Sequence, residues 1–474
     1  MKSKSSFQAG AINPYLLVLV FSAIVHLVTI VKEYAWADDW AFITGYRTSS
    51  PEIKIEHLSG LRPILQVLMD QSFGRISQYE SLMFLRLISL IGLLLLVHQI
   101  MKLLRKIGYS NFVVYSFGIL INFLPTFWIY TNWASVFSYT WVCLLSVLSF
   151  SVFIRSKLLG LVLIIFCFLI YQPAAVFSSF VVFAYLVKNG KLDKRNWLYL
   201  IYLISGSLLG YLIGKIAGLI VGLPLKTRTE IVDSPIELIE KFAWILTRPV
   251  FLSMRPFIIE SQGSLAAASS FLGLFLTMVS LWQISKRIGF SNLNFVSTLI
   301  SVYAVGLLPL IVIAENQIEF RTLPATSCCG LLFIVTGVKF FVDKFLKAHV
   351  AVLVISFTVV LALFCYSHQK INLIFIDSFR QNHIFLNASY GMLNPLDRIV
   401  ILIDSKPWPQ RGFIGALSVK SDLQMPWVPI GEISQILELK ENQLRIQIFE
   451  NNEKTFSGNS IDLRKFRQTL THAD

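Results

Sequence analysis

The sequence predicts a polytopic α-helical membrane protein, with about 11 transmembrane helices and a small C-terminal α/β extracytoplasmic domain. Hydrophobic residues make up 55% of the 474 positions and charged residues only 14%, too few to clothe a soluble chain of this length. Mean hydropathy is +0.67, and apolar runs of about 20 residues, enough to cross a bilayer, recur along the chain. The net charge of +14 is concentrated in alternate connections between those runs.

The first run, 12–31, follows Lys2 and Lys4. Ala35-Trp36-Ala37 behind it has the form of a signal cleavage site. The run exceeds the roughly 7–15 residues of a signal core, so the reading is an uncleaved anchor. An outer loop, 32–81, contains an apolar-periodic piece at 61–73 (Leu61, Ile64, Leu65, Leu68), which predicts an amphipathic helix on the membrane surface. Further spans are read at 82–104, 111–130, 134–154, 158–171, 173–187 and 197–222. After the outer loop 223–264, the remaining spans are 265–284, 295–314, 322–342 and 349–366. These form a transmembrane module, 1–366. Residues 367–474 suffice for a small domain. In it, the run Ile399-Val400-Ile401-Leu402-Ile403 and the alternation Leu444, Ile446, Ile448 predict strands, and 371–382 predicts a helical continuation.

Alternating the loops across the membrane puts sixteen Lys and Arg residues on one side, with only Asp193 and Asp343. The rest of the chain holds 25 basic and 25 acidic residues and balances. By the positive-inside rule the N-terminus is cytoplasmic, and loops 32–81 and 223–264, the Gln172 turn, the 315–321 loop and the C-terminal domain share the outer face. In a bacterium this is the inner membrane with its outer face toward the periplasm.

Several classes are excluded. The basic charge forms no stripe with interleaved aromatics outside the membrane, so nucleic acid is not a partner. Cys143, Cys167, Cys328, Cys329 and Cys365 all lie in apolar runs without ligand spacing and read as small buried hydrophobes. His26 and His98 stand alone on apolar helices and read as packing residues. No nucleotide-binding or hydrolase motif is present, and the cytoplasmic loops are too short for a nucleotide domain. Chemistry at the outer face then needs an energised substrate delivered in the membrane, and a lipid-linked donor fits.

The polar outer loops supply candidate groups. Asp38 and Asp39 lie between Trp36 and Trp40, just past the first span. Tryptophan favours the membrane boundary, which predicts that the acids lie near headgroup depth. Either can act as a general base; the plain alternative is a solvated acid pair. A lipid-phosphate leaving group needs cations, and Arg offers a two-pronged fork for phosphate. Arg228, Arg248, Arg255 and Arg321 are candidates, with Arg248 and Arg255 in an amphipathic stretch, 236–259. The alternative is ordinary interfacial arginine. Arg86 and Lys215 are charges inside spans that must face protein, water or headgroups. Lys215 can reach a phosphate or pair with a carboxylate. Arg62, Gln172, Trp40 and Glu315 are candidates for substrate binding. Gln172-Pro173 equally reads as a turn cap, and Glu315 can pair with Arg321. No metal site is specified, although the two aspartates can hold a divalent cation weakly.

Asp38-Asp39-Trp40, Gly60-Leu61-Arg62-Pro63, Tyr171-Gln172-Pro173 and Glu319-Phe320-Arg321-Thr322, in this layout, resemble the GT-C superfamily of integral-membrane glycosyltransferases. Within it the chain looks most like the phage-encoded, serotype-converting O-antigen glucosyltransferases of the type II kind. The resemblance implies a polyprenyl-phosphate sugar donor, with glucose as the sugar, and a lipid-linked or growing surface polysaccharide as acceptor in the periplasm. It implies an aspartate base, no cofactor or required metal, and functional links to a donor synthase and a flippase. It does not divide roles between Asp38 and Asp39. A lipid-linked sugar translocase and a polysaccharide polymerase are the alternatives. Charges midway through spans or matching broken helices would favour the translocase.

Overall fold

The computed structural model describes residues 13–32, 34–35, 38–47, 49, 51–76, 78–222, 231–232, 234–253, 264–288, 293–313 and 320–345, with the strand segments 399–403, 446–450 and 460–462. Helix α1 is Pro14–Ile30. Asn13 caps it by accepting the Tyr15 N–H at 3.0 Å, and Pro14 occupies the first turn, where no amide partner is lost. Three short helices follow: α2 (Asp38–Arg47), α3 (Pro51–Ser59) and α4 (Pro63–Ser72). Helix α5 is Leu82–Ile107. Then come α6 (Asn111–Leu120), α7 (Pro125–Asn132), α8 (Tyr139–Phe153), α9 (Lys157–Phe168), α10 (Gln172–Ala175), α11 (Ser179–Asn189) and α12 (Lys194–Ile220). The remainder comprises α13 (Pro235–Thr247), α14 (Pro249–Ser253), α15 (Ser264–Ile288), α16 (Leu293–Gly306), α17 (Leu308–Val312) and α18 (Pro324–Phe345).

Among the described residues, four helical segments are long and apolar enough to cross a membrane: Tyr79–Ile107, Ala134–Phe153, Lys194–Ile220 and Pro324–Lys344. A bent pair, Asn111–Phe123 with Pro125–Asn132, makes a fifth if taken as one span. This is the architecture of a helical membrane protein. Its core is built around α5, whose Leu93, Leu96, Val97 and Met101 are fully buried beside Phe117, Trp128 and Phe180. Cys143, Cys167, Cys328 and Cys329 are free and buried, as small core residues.

The structure departs from the sequence reading, or sharpens it, at several places. Residues 111–130 are not one straight helix: α6 and α7 meet at 56°. Pro125 lacks an amide hydrogen and holds Leu124 extended (φ −64°, ψ 127°), so the helix stops and restarts. Asn122 covers the released end by donating to the Gly118 and Ile119 carbonyls. The 61–73 piece does form a helix, α4, whose inner face packs on the protein: Leu65 and Met69 are fully buried in the main core, while Val67 is exposed. Trp40 is 2% exposed and packs on Tyr79 at 5.6 Å between ring centroids, so it is a core residue and not a boundary anchor. Protein burial outweighs the headgroup preference once α2 folds inward. Likewise 295–314 breaks at Leu307 into α16 and α17.

Strands β1 (Ile399–Ile403) and β2 (Ile446–Glu450) lie where the apolar runs predict them, and β3 is Ser460–Asp462. The sheet is parallel in the order β2-β1-β3, with Ile401 opposite Ile448 and Ile461. The expected span 349–366, with its Cys365, the helix at 371–382 and the rest of the C-terminal domain lie outside the described residues.

Candidate functional site

Asp38 and Asp39 open α2, where acidic side chains complement the helix N-terminus. Their surroundings differ. Asp39 is fully buried. Its Oδ1 accepts the Ser135 N–H at 2.7 Å, and its Oδ2 lies 3.7 Å from Arg86 Nη2. Asp38, one residue earlier, is only half-buried.

Arg86 comes from α5 and is itself 1% exposed. Its Nε donates to the Asn132 carbonyl at 3.0 Å, Nη2 donates to the Tyr34 carbonyl, and the guanidinium lies 3.6 Å from the Tyr34 ring centre. Nη1 has no hydrogen-bond partner among the described residues. The Tyr34 hydroxyl also donates to the Asn132 carbonyl, at 2.8 Å. Asn132 ends α7, where carbonyls lose their helical partners, and Arg86 and Tyr34 supply the missing donors. Burial pushes the Tyr34 hydroxyl up to about 12; Arg86 opposes that rise and Asp39 adds to it.

A second cluster forms around Tyr171. Arg62 Nε donates to Gln172 Oε1 at 2.9 Å, and the guanidinium lies 5.1 Å from the Tyr171 ring centre. Gln172 Nε2 donates to the carbonyls of Gly60 and Leu61 at 3.3 and 3.5 Å. Leu61 adopts a left-handed φ of +61°, unusual for a branched side chain, and the Gln172 amide holds that turn in place. Tyr171 stacks on Tyr139 with ring centres 3.6 Å apart. Its hydroxyl donates to the Arg321 carbonyl at 3.2 Å, and Tyr130 donates to the same oxygen. Arg321 lies 4.7 Å from the Trp133 ring centre. The segment 133–135 joins the clusters: Trp133 supports Arg321 and Ser135 holds Asp39.

The structure therefore gathers Asp38, Asp39, Arg62, Gln172 and Arg321 around α7 and the turn that follows it. Trp40 packs behind them. Lys215 is exposed on α12, and Arg248 is exposed at the end of α13. Helix α13 buries Ile245 against Leu307, Leu310 and Leu323 while leaving Ile236, Ile239 and Leu246 exposed. Arg228, Arg255, Glu315 and Glu319 lie outside the described residues, as does Trp36. The sequence carries no signal for Tyr34 and Ser135 as contributors, marks Tyr171 only as part of a short motif, and names no partner for Arg86. An arginine in an apolar run was the available signal that a buried acid faced it. Among the described residues, no three His, Cys, Asp or Glu side chains converge as a metal site.

No family model matches the chain, and no curated protein does. Among solved structures, it is similar to the crystal structure of the Archaeoglobus fulgidus oligosaccharyltransferase in complex with Zn and sulfate. The TM-score is 0.42 at 13% identity, over 86% of this chain and 62% of that one. The chain thus spans less than two thirds of that protein's length.

Proposed function

We propose that the protein is a membrane glycosyltransferase that moves a sugar, glucose, from a polyprenyl-phosphate donor to a surface-polysaccharide acceptor at the periplasmic face. The observation that carries this reading is the unequal pair at the start of α2. Asp39 is fully buried and committed to Arg86 and the Ser135 amide, whereas Asp38 is half-buried beside it. Asp38 is then the general base and Asp39 the residue that fixes its helix.

In the reaction, the Asp38 carboxylate takes the proton from an acceptor hydroxyl as that oxygen bonds to the anomeric carbon. The bond from that carbon to the phosphate oxygen breaks, polyprenyl phosphate leaves with the electron pair, and the configuration inverts. The base works only within hydrogen-bond reach of the acceptor, about 2.6–3.2 Å. Arg62 and Arg321, held over aromatic rings, are suited to the developing phosphate charge. Arg228, Arg248, Arg255 and Lys215 are further donors of positive charge in this proposal, and Glu315 contacts substrate. Gln172 acts by holding Arg62 and the Gly60-Leu61 turn. The sugar, the acceptor, the orientation of the chain in the inner membrane, and the supply of donor by a synthase and a flippase belong to the same proposal.

Transfer is assayed in membranes supplied with polyprenyl-phosphate glucose and acceptor. Asp38→Asn is expected to lose about 10²–10⁴-fold in rate while keeping wild-type thermal stability. Full transfer by both Asp38→Asn and Asp39→Asn would remove the mechanism.

A further inference from the structure

A recess of about 310 Å³ opens where α8, α9 and α12 meet, lined by Phe153, Ile154, Lys157, Lys194, Arg195 and Leu198. It shares no residue with the Asp38 cluster. The corner is tightly built. Phe153 packs edge-on to Tyr199 and Tyr202, with centroids at 5.3 and 5.0 Å. A Cβ on Gly160 would come within 2.9 Å of Phe153 Cβ, so the glycine lets α9 close on α8. Two of the three cations sit at the first position of a capped helix. Lys157 follows the Ser156 cap of α9, which accepts the Leu159 N–H at 3.3 Å, and Lys194 follows the Asp193 cap of α12. Asp193, the acid beside the recess, spends Oδ1 on the Asn196 N–H at 2.8 Å. Among the described residues, none of Lys157, Lys194 and Arg195 pairs with a carboxylate.

Three cations around an apolar floor, with no carboxylate partner among the described residues, repel one another and attract an anion with an apolar portion. The surface beyond the rim says which kind. Leu158, Leu159 and Val162 on α9 and Ile201 on α12 are exposed, at 71, 50, 49 and 55%. They continue the apolar floor down the outside of the helices, where acyl chains run. Trp197, 40% exposed and one turn in from Lys194, has the position of a headgroup-level tryptophan. A free phosphate would use the cations but neither the floor nor this wall.

We propose that this corner is a binding site for an anionic phospholipid, with the phosphodiester against Lys157, Lys194 and Arg195 and the acyl chains along α9 and α12. The proposal rests on the membrane architecture and is independent of the glycosyl-transfer reading.

The test uses the full-length purified protein in phosphatidylcholine nanodiscs with a graded fraction of phosphatidylglycerol, and native mass spectrometry to count retained lipid. The Lys157→Ala/Lys194→Ala/Arg195→Ala variant is compared with Lys102→Ala/Lys106→Ala/Lys344→Ala, which removes equal charge from exposed positions on α5 and α18. A cation held against the phosphodiester of a bound lipid contributes about fivefold to its affinity, and one outside the recess contributes none to that site. The first variant should therefore lose more than tenfold in phosphatidylglycerol affinity at unchanged melting temperature, and the second less than twofold. Equal loss in both variants, or no loss in the first, overturns the site. Displacement of the lipid by low-millimolar inorganic phosphate overturns the lipid assignment in favour of a free anion.

Discussion

Asp39 Oδ2 and Arg86 Nη2 lie 3.7 Å apart, and neither side chain reaches solvent. The pair ties the start of α2 to α5, across 47 residues of sequence, at the place where α7 ends. Breaking a buried ion pair from one side leaves an uncompensated charge, which costs about 3–5 kcal/mol. Arg86→Met should lose stability of this order in denaturant titrations in detergent. Arg86→Met combined with Asp39→Leu should recover more than half of the loss, because both charges are then gone. A single variant with wild-type stability would contradict the role given to the pair.

The Tyr34 hydroxyl gives a pH signature. Its pKa in the folded chain is raised, to about 12 against an ordinary 10.0. A raised value means that the folded state holds the proton more tightly. The associated stability is complete below about pH 10 and is lost as pH rises through 12. Tyr34→Phe should flatten that part of the stability profile relative to wild type. It should also cost about 1 kcal/mol at pH 7 through the lost bond to the Asn132 carbonyl. Stability measured from pH 8 to 12 for both proteins decides it.

Arg62→Lys keeps the charge but removes the Nε–H that reaches Gln172 and the flat group over Tyr171. If Arg62 meets donor phosphate, kcat/KM for transfer should fall at least tenfold while the melting temperature moves by only a few degrees. A change in stability alone, with transfer per folded molecule unaffected, would make Arg62 a packing residue.

Helix α12 touches the same turn at Gly214, where an added Cβ would lie 2.9 Å from the Leu61 carbonyl oxygen and 3.1 Å from its Cβ. Gly214→Val forces α12 away from the Gly60-Leu61-Arg62 turn. Overpacking of this kind costs about 1–3 kcal/mol. Transfer should fall with it, and Gly214→Ala should lie between valine and wild type in both measurements. Retained activity and stability in Gly214→Val would show that the turn is not held by α12.

Much of this arrangement was legible from residue type. Asp38, Asp39, Arg62, Gln172 and Arg321 were each singled out as polar groups in connections between apolar runs, and the folded chain brings them to one end of α7. The runs at 399–403 and 446–450 were legible as strands because β-branched and aliphatic residues alternate or cluster there. What the sequence hid was long-range pairing. Nothing near Arg86 names Asp39, Tyr34 or Asn132 as its partners, since such contacts depend on how α2, α5 and α7 close together. The bend before Pro125 carried a local signal, a proline inside an apolar run, but hydropathy averages across it. Trp40 misled for a related reason: a preference for the membrane boundary describes an isolated side chain, and here tertiary burial prevails.

The end of α7 also constrains how the protein can change over generations. The Asn132 carbonyl freed there is covered by Arg86 and Tyr34, and Arg86 in turn requires Asp39. Loss of Asp39 alone leaves the buried Arg86 charge uncompensated, and loss of Arg86 alone does the same to Asp39, so single substitutions at positions 39 and 86 pass through a less stable intermediate. These two positions should be inherited as a pair, whereas position 34 can change alone at the smaller cost of one hydrogen bond.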